Sequence, residues 1–480
     1  MWQPVLMIDG FILSILGLSM LIPAGLDIYD TKAEWSPFLS AMLMTLFIGL
    51  MLFFSNKSKM TQISLRQGYL ITFFSWVSVG IFSSLPFILN AATPDISSAL
   101  FESISGITAT GATVIADVEA LPRSVLLWRS MLNGLGGIGI VIFAVAMLPF
   151  LGIGGMQMFA RESSDTNDKL MPKFIDLAKW IIGVYLGLVM LCCGALFLCG
   201  MGKFDALNHA LSTVATAGFS TKNASIAYYH SPLIEMVLAF FMILGALPMT
   251  FYIILLKNKE TDKLRLGQIK YFLKAVAVFT FCLALYLSLS NHVHFIKALR
   301  LSFFNVVAVM TTTGHSSADY LEWGVWTAVF FMLLSLHGGC IGSTTGSIKV
   351  MRWQILKAYF KKVMLSSIEP HQVVPLKIGE AAVSDKAVNS VFVYIFSFLA
   401  SIAMTALLLN LLGYDLPTSV SAAFACVTNT GPGAIKSIGA SGNYAFFSPA
   451  AKSILCAAML LGRLEIMTVL VVFTKTFWKK

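Results

Sequence analysis

The chain has 480 residues and a formal charge of +10, yet only 12% of its residues are charged and 57% are hydrophobic, with a mean hydropathy of +0.82. This composition excludes a soluble core with a polar surface and predicts a multi-span membrane protein. The positive balance fits the charge bias of membrane proteins and calls for no nucleic acid.

A membrane crossing takes about 20 apolar residues, and two such helices open the chain, at about 4–24 and 36–55. The first carries Asp9 but neither Lys nor Arg ahead of its apolar run and no small-residue cleavage site, so it reads as a retained span and not a cleaved signal. A three-part unit then repeats four times. The first has a helix at about 68–90, a short apolar segment at 96–108 running into Gly111, and a helix at 125–160. The second has 176–200, then 203–215 running into Gly218, then 232–256. The third has 268–290, then 296–310 running into Gly314, then 325–362; the fourth has 388–412, then 416–428 running into Gly431, then 449–476. The expected fold is an all-α polytopic membrane protein with ten full spans and four re-entrant segments. Two additional N-terminal helices (1–60) precede four pseudo-symmetric helix, pore-loop, helix quarters (61–165, 166–262, 263–386 and 387–480) around one central pore.

The four short segments cannot cross the hydrocarbon core and are too apolar for water-exposed loops. Each is expected to enter as a half helix and leave as an extended strand, which membranes tolerate only where backbone is buried in protein or lines a wet cavity. Lys and Arg orient the chain: 22 of the 33 lie in residues 56–66, 161–179, 257–274, 352–386 and 475–480, the connections that ten spans place on one side. That side is therefore cytoplasmic, and the re-entrant loops face outward from a bacterial inner membrane. The seven cysteines, Cys192, Cys193, Cys199, Cys282, Cys340, Cys426 and Cys456, lack the spacing of a zinc site or a disulfide frame and read as reduced packing residues.

The turns are Ala109-Thr110-Gly111-Ala112-Thr113, Thr216-Ala217-Gly218-Phe219-Ser220, Thr312-Thr313-Gly314-His315-Ser316 and Asn429-Thr430-Gly431-Pro432-Gly433. A single glycine marks an ordinary turn; four, each after a half-helix-length segment and between two spans, point to one shared axis. A half helix ending just before each glycine aims its partially negative end at that axis and favours a cation there. Glycine allows positive φ, so consecutive carbonyls can face inward. The carbonyls of Ala109, Thr110, Thr216, Ala217, Thr312, Thr313, Asn429 and Thr430 are the candidate ligands. Neutral carbonyls without a carboxylate ring suit a monovalent cation better than Ca²⁺ or Mg²⁺.

Two further features fall inside the last two quarters. Gly338, Gly339, Gly342, Ser343, Thr344, Thr345, Gly346 and Ser347 interrupt an apolar span, and glycines in a helix interior cost about 1 kcal/mol each relative to alanine. A helix break is predicted there, with close packing through small residues as the plain alternative. Arg463 lies well inside the last span, where charge costs about 2.5–3.5 kcal/mol; it is assigned as an electrostatic gate beneath the turns, against the alternative of a structural pair with Glu465 or another acid. His337 borders the interrupted stretch and reads as a packing residue. His315 reads as a surface residue, or as a group that tunes the outer mouth with pH. Asp117 and Glu119 read as solvated acids, or as a vestibule that concentrates cations.

With these motifs the chain resembles the Trk/Ktr/HKT superfamily of potassium transporters, most closely its TrkH-type subunit. The resemblance rests on Thr108 to Thr113, Ala217 to Thr221, Thr311 to Gly314, Gly431-Pro432-Gly433, Gly338 to Thr344 with Lys349, and Gly462-Arg463-Leu464-Glu465, and it covers nearly the whole chain. It implies uptake of K⁺ across the inner membrane, a homodimer with one pore per subunit, and a cytosolic TrkA-type subunit that binds nucleotides. It also implies that the segment Gly338 to Ser347 is an intramembrane loop that closes the pathway. Thr345 and Ser347 stand where the family often has further glycines, and His315 where it often has an aromatic residue.

Enzymatic function is not expected. The chain has no Walker phosphate loop, no His-Glu-x-x-His and no Gly-x-Ser-x-Gly, and no organic cofactor is implied. The alternatives to potassium uptake are a sodium-permeable or poorly selective monovalent-cation transporter, and a non-transporting scaffold or sensor. In plant-type relatives a serine in place of the first filter glycine accompanies sodium transport; Gly111 is intact here.

Overall fold

The computed structural model describes residues 2–30, 35–57, 64–146, 170–257, 263–371, 375–378 and 381–479. The far end of the helix expected over 125–160 lies outside them. Seven described helices are long and apolar enough to cross a membrane: Trp2–Tyr29, Ser36–Ser55, Leu65–Leu89, Arg123–Phe143, Asp176–Leu198, Leu266–Ser290 and Asp385–Leu411. Large apolar side chains such as Phe47, Leu198 and Phe396 stay exposed on their outer faces, which is where lipid replaces water as the solvent.

The other three expected crossings are not single helices, and the hydropathy reading did not anticipate two of the breaks. Pro232–Ala246 and Met249–Leu256 meet at 89°. Pro248 has no N–H to donate and drives Leu247 out of the helical region, to ψ 157°. The last crossing stops at Arg463 and resumes at Met467, with Glu465 at φ 58° between them. The third break, between Val325–Leu334 and Val350–Ile368, spans the glycine-rich segment. The only described strands are the two-residue pair Lys377–Ile378 and Ala381–Ala382, which buries Ile378 against the helical core.

The first two crossings pack together through glycine. A Cβ on Gly10 would strike the Gly49 carbonyl, and one on Gly49 the Gly10 carbonyl, so the backbones touch as they do at small-residue membrane crossings. Between the long helices stand four short ones, Ile96–Ile107, Lys203–Val214, Phe295–Met310 and Leu416–Val427. Their inner halves are buried in protein. Carboxylates cap two of them: Asp95 accepts from the Ser98 N–H at 2.6 Å and Asp415 from that of Thr418 at 3.2 Å. The hydroxyls of Ser97 and Thr418 hold these carboxyls below their ordinary range. Both caps are therefore ionised at neutral pH and weaken only as pH falls through those depressed values.

Candidate functional site

Each half helix ends in the same way, four residues before its glycine and not immediately before it. Thr110 N–H donates to the Ser105 carbonyl at 2.9 Å and Ala109 N–H to that of Gly106 at 3.1 Å. The same two bonds run from Ala217 to Ser212 and Thr216 to Thr213, from Thr313 to Ala308 and Thr312 to Val309, and from Thr430 to Ala425 and Asn429 to Cys426. This is the Schellman termination, and it puts the residue two before the glycine in the left-handed region. Ala109, Thr216, Thr312 and Asn429 sit there at φ 51°, 53°, 56° and 56°, none of them glycine. Each costs roughly 1–2 kcal/mol relative to the right-handed form. Gly111, Gly218, Gly314 and Gly431 follow at φ 80°, 89°, 75° and 91°. In each loop a negative-φ residue thus separates two positive ones, so successive carbonyls no longer alternate sides as they do in a strand.

The four loops close on one another in chain order. A Cβ on Gly111 would overlap the carbonyl oxygen of Ala217, one on Gly218 that of Thr313, one on Gly314 that of Thr430, and one on Gly431 that of Thr110. Each glycine therefore receives the carbonyl that precedes the next quarter's glycine, and the fourth contact returns to the first loop. Only a residue without a side chain permits this approach. Other links support the ring: Asn429 Nδ2 donates to Thr110 Oγ1 at 2.9 Å, and Ala109 packs with Ala215 and Ala217. Hydroxyl pairs stiffen three loops, Thr108 with Thr110 (2.7 Å), Thr311 with Thr313 (2.7 Å) and Thr428 with Thr430 (2.8 Å). The second loop has Ala215 and Ala217 at those places, so the ring is not fourfold in its side chains. A cavity of about 90 Å³ opens above the four glycines and is lined by all of them.

A buried ion pair behind this ring is not assigned in the sequence reading. Glu102, on the first half helix, accepts from Arg129 Nε at 2.8 Å, and the two side chains are 0% and 2% exposed. The carboxylate also accepts from Thr113 Oγ1 and from Val114 N–H, each at 3.0 Å. The guanidinium donates to the Ser220 carbonyl at 3.1 Å and lies 4.1 Å from the centre of the Phe219 ring. One pair therefore holds the first and second strands beyond their glycines. An acid in an apolar half helix and an arginine within a span were the available signal. In the fourth quarter Tyr444 donates to the Gly431 carbonyl at 2.8 Å.

His315 is not a surface residue. It is 2% exposed, its Nε2 is 3.2 Å from Thr213 Oγ1, and its ring centre lies 5.9 Å from that of His209. Asp117 accepts from Asn223 Nδ2 at 2.8 Å, which holds its carboxyl below the ordinary value, and Glu119 accepts from Asn223 N–H at 3.1 Å. His337 stacks on Trp353 with ring centres 4.6 Å apart.

On the other side of the ring, residues 338–347 form a buried excursion between two helices. Its start and end run together, with Gly338 N–H donating to the Ile348 carbonyl at 2.9 Å. Gly339 N–H donates to Thr345 Oγ1 at 3.0 Å, and Ser343 Oγ lies 2.9 Å from that same oxygen. Ser347 Oγ donates to the Ser335 carbonyl at 2.6 Å, and Lys349 Nζ donates to the carbonyl of Thr345. The excursion touches the loops directly. Gly346 N–H donates to Thr312 Oγ1 at 2.7 Å, and Thr216 Oγ1 donates to Thr344 Oγ1 at 3.2 Å. Gly342 accepts from Met249 N–H at 2.9 Å at the bend of the sixth crossing.

Arg463 is 3% exposed and donates through Nη1 to the Thr344 carbonyl at 2.8 Å, while its Nε and Nη2 have no partner among the described residues. Glu465 pairs with Arg352 at 2.5 Å and not with Arg463. Arg463 therefore keeps its charge on the excursion, as the divergence of side chains two positions apart requires.

Known proteins resemble this chain over its full length. The family model for TrkH, described as a cation transport protein, matches residues 36–480. The Trk system potassium uptake protein TrkI of Halomonas elongata is 36% identical over 100% of this chain and 97% of its own. TrkG of Escherichia coli, another Trk system potassium uptake protein, is 34% identical over 98% of this chain and 97% of its own. The crystal structure of the potassium transporter TrkH from Vibrio parahaemolyticus superposes with a TM-score of 0.92 at 30% identity, covering 100% of both chains. A full-length match in sequence and in the path of the backbone places this chain in the TrkH family of cation transport proteins.

Proposed function

We propose that the chain takes up K⁺ across the bacterial inner membrane through the ring of four glycine-centred loops. The closed circuit of glycine-to-carbonyl approaches carries this reading. A ring of inward backbone carbonyls replaces the hydration shell of a monovalent cation, with Ala109, Thr110, Thr216, Ala217, Thr312, Thr313, Asn429 and Thr430 supplying the oxygens. Among the described residues no cluster of three or more His, Cys, Asp or Glu could hold a metal ion, and hard divalent cations favour such charged ligands. The relatives' names supply potassium as the ion. Selection belongs to the ring, and opening belongs to Gly338 to Ser347 with Arg463 against Thr344.

The division into quarters at 61–165, 166–262, 263–386 and 387–480, a homodimer with one pore per subunit, and a cytosolic TrkA-type regulatory subunit complete the reading. The basic connections are the surface such a partner would meet. Fluxes of K⁺, Rb⁺ and Na⁺ into vesicles of purified protein at imposed voltage test the assignment. K⁺ and Rb⁺ are expected to pass and Na⁺ to lag; Na⁺ passing as readily as K⁺ makes the chain a poorly selective transporter, and no flux makes it a scaffold.

The excursion's hold on the ring gives a separate test. Thr312→Val keeps the side-chain shape but leaves the Gly346 N–H without its acceptor, at a cost of about 1–3 kcal/mol to the closed arrangement. Rb⁺ flux is expected to rise several-fold with the K⁺/Na⁺ ratio retained. A variant with wild-type flux removes that bond from the gating scheme.

A further inference from the structure

Away from the ring, a groove of about 510 Å³ runs along the outer face of Leu170–Leu198 where it meets Met249–Leu256. This volume lies within the roughly 300–1,000 Å³ of ligand sites. Gly183 and Gly187 form its bed, and a Cβ on either would meet nothing within 4 Å. Among the described residues these glycines therefore have no neighbouring helix packed against them. Leu191 and Leu256 continue the groove as an apolar channel. At one end it is basic: Lys179 lines it, and Lys257 Nζ stands 4.7 Å from the ring of Trp180, which also lines it. Both residues are exposed; Lys179 lies near the start of the apolar span Asp176–Leu198 and Lys257 just past the end of Met249–Leu256, toward the Lys/Arg-rich connections.

We propose that this groove binds an anionic phospholipid of the cytoplasmic leaflet, its acyl chain over Gly183 and Gly187 and its headgroup phosphate between Lys179 and Lys257. Charge decides the occupant. A headgroup phosphodiester brings one negative charge to two ammonium groups, uncancelled by a cation of its own in an anionic lipid, in the layer where such lipids concentrate, and tryptophan belongs at that interfacial depth. A second protein copy would have to cover both cations.

The site is wired to the gate of the proposed function, on which this part of the inference rests. Tyr252 lines the groove and donates to the Leu244 carbonyl at 2.7 Å, bridging the break at Pro248. Just after that break Met249 N–H donates to the Gly342 carbonyl, and just before it the Ala246 carbonyl accepts from Cys340 N–H, both at 2.9 Å. A lipid that steadies Met249–Leu256 thereby steadies both ends of the turn from Cys340 to Gly342.

The test uses the full chain in vesicles, with brominated phosphatidylglycerol or brominated phosphatidylcholine as quencher of tryptophan fluorescence. The difference between the wild type and Trp180→Phe isolates the groove. Phosphatidylglycerol is expected to quench that signal at a roughly ten-fold lower mole fraction, and Lys179→Gln with Lys257→Gln to erase the preference. Gly187→Leu, which fills open space and leaves the fold intact, is expected to abolish quenching by either lipid. Equal quenching by the two lipids, or wild-type quenching of Gly187→Leu, overturns the site. So does a shift of Gly187→Leu from dimer to monomer by light scattering, which would seat a second copy in the groove. Quenching reports binding whether or not the protein conducts, so its failure is distinct from failure of the transport reading. Rb⁺ flux that ignores phosphatidylglycerol while quenching persists overturns only the link to the gate.

Discussion

Glu102→Ala is expected to destabilise the protein by about 3–5 kcal/mol, because it strands the Arg129 charge in a site that is 2% exposed. It also frees both strands that the pair ties together, since the carboxylate holds Thr113 and Val114 and the guanidinium holds Ser220. The K⁺/Na⁺ flux ratio should therefore fall along with the melting temperature in detergent. Glu102→Gln separates the two effects. An amide oxygen can still accept from Val114 N–H, so this variant should fold more stably than the alanine one while its looser grip on Arg129 still erodes selectivity. Unchanged melting and selectivity in Glu102→Ala would show that the pair does not brace the loops.

Removing the charge at Arg463 should raise flux. At an effective dielectric of about 20, a unit charge repels K⁺ by about 2 kcal/mol at a separation of about 8 Å, a factor of roughly 30 in rate. The side chain also pins Thr344 at 2.8 Å, and Thr344 in turn donates to the Val214 and Gly245 carbonyls, each at 3.0 Å. Arg463→Gln removes the charge, and Arg463→Lys keeps it while losing the planar fork. If repulsion dominates, glutamine opens the path and lysine leaves it closed. Equal opening by both would assign the gate to the hydrogen bond, and wild-type flux and gating in both would remove Arg463 from the mechanism. Glu465 does not cancel the charge, being held by Arg352.

The architecture was legible in the sequence because membrane crossings and half helices are written in runs of neighbouring residues. Hydropathy placed the half helices close to their observed limits, as at Ile96–Ile107 and Leu416–Val427. The conformation two residues before each glycine was not legible. Ala109, Thr216, Thr312 and Asn429 have no common side-chain character, and only the way the helix ends makes them left-handed. The breaks at Pro248 and Glu465 were hidden for a related reason: apolar runs flank them on both sides while the helical hydrogen bonding stops between. Pro248 was a visible warning; Glu465 was not.

The sequence by itself determined that this is a membrane protein of four glycine-centred quarters after two leading helices. Burial of apolar surface in lipid and the need for glycine at tight turns are both local constraints. Tertiary structure alone decided which carbonyl meets which glycine, that Glu102 takes Arg129 and Arg352 takes Glu465, and that the intramembrane excursion hangs from Thr312 and Thr216. The ion pairs and hydroxyl links among them join residues 27 to 128 apart in the chain. Nothing local selects among the donors and acceptors of such a chain; the choice is made when folding takes them out of water and each must find a partner.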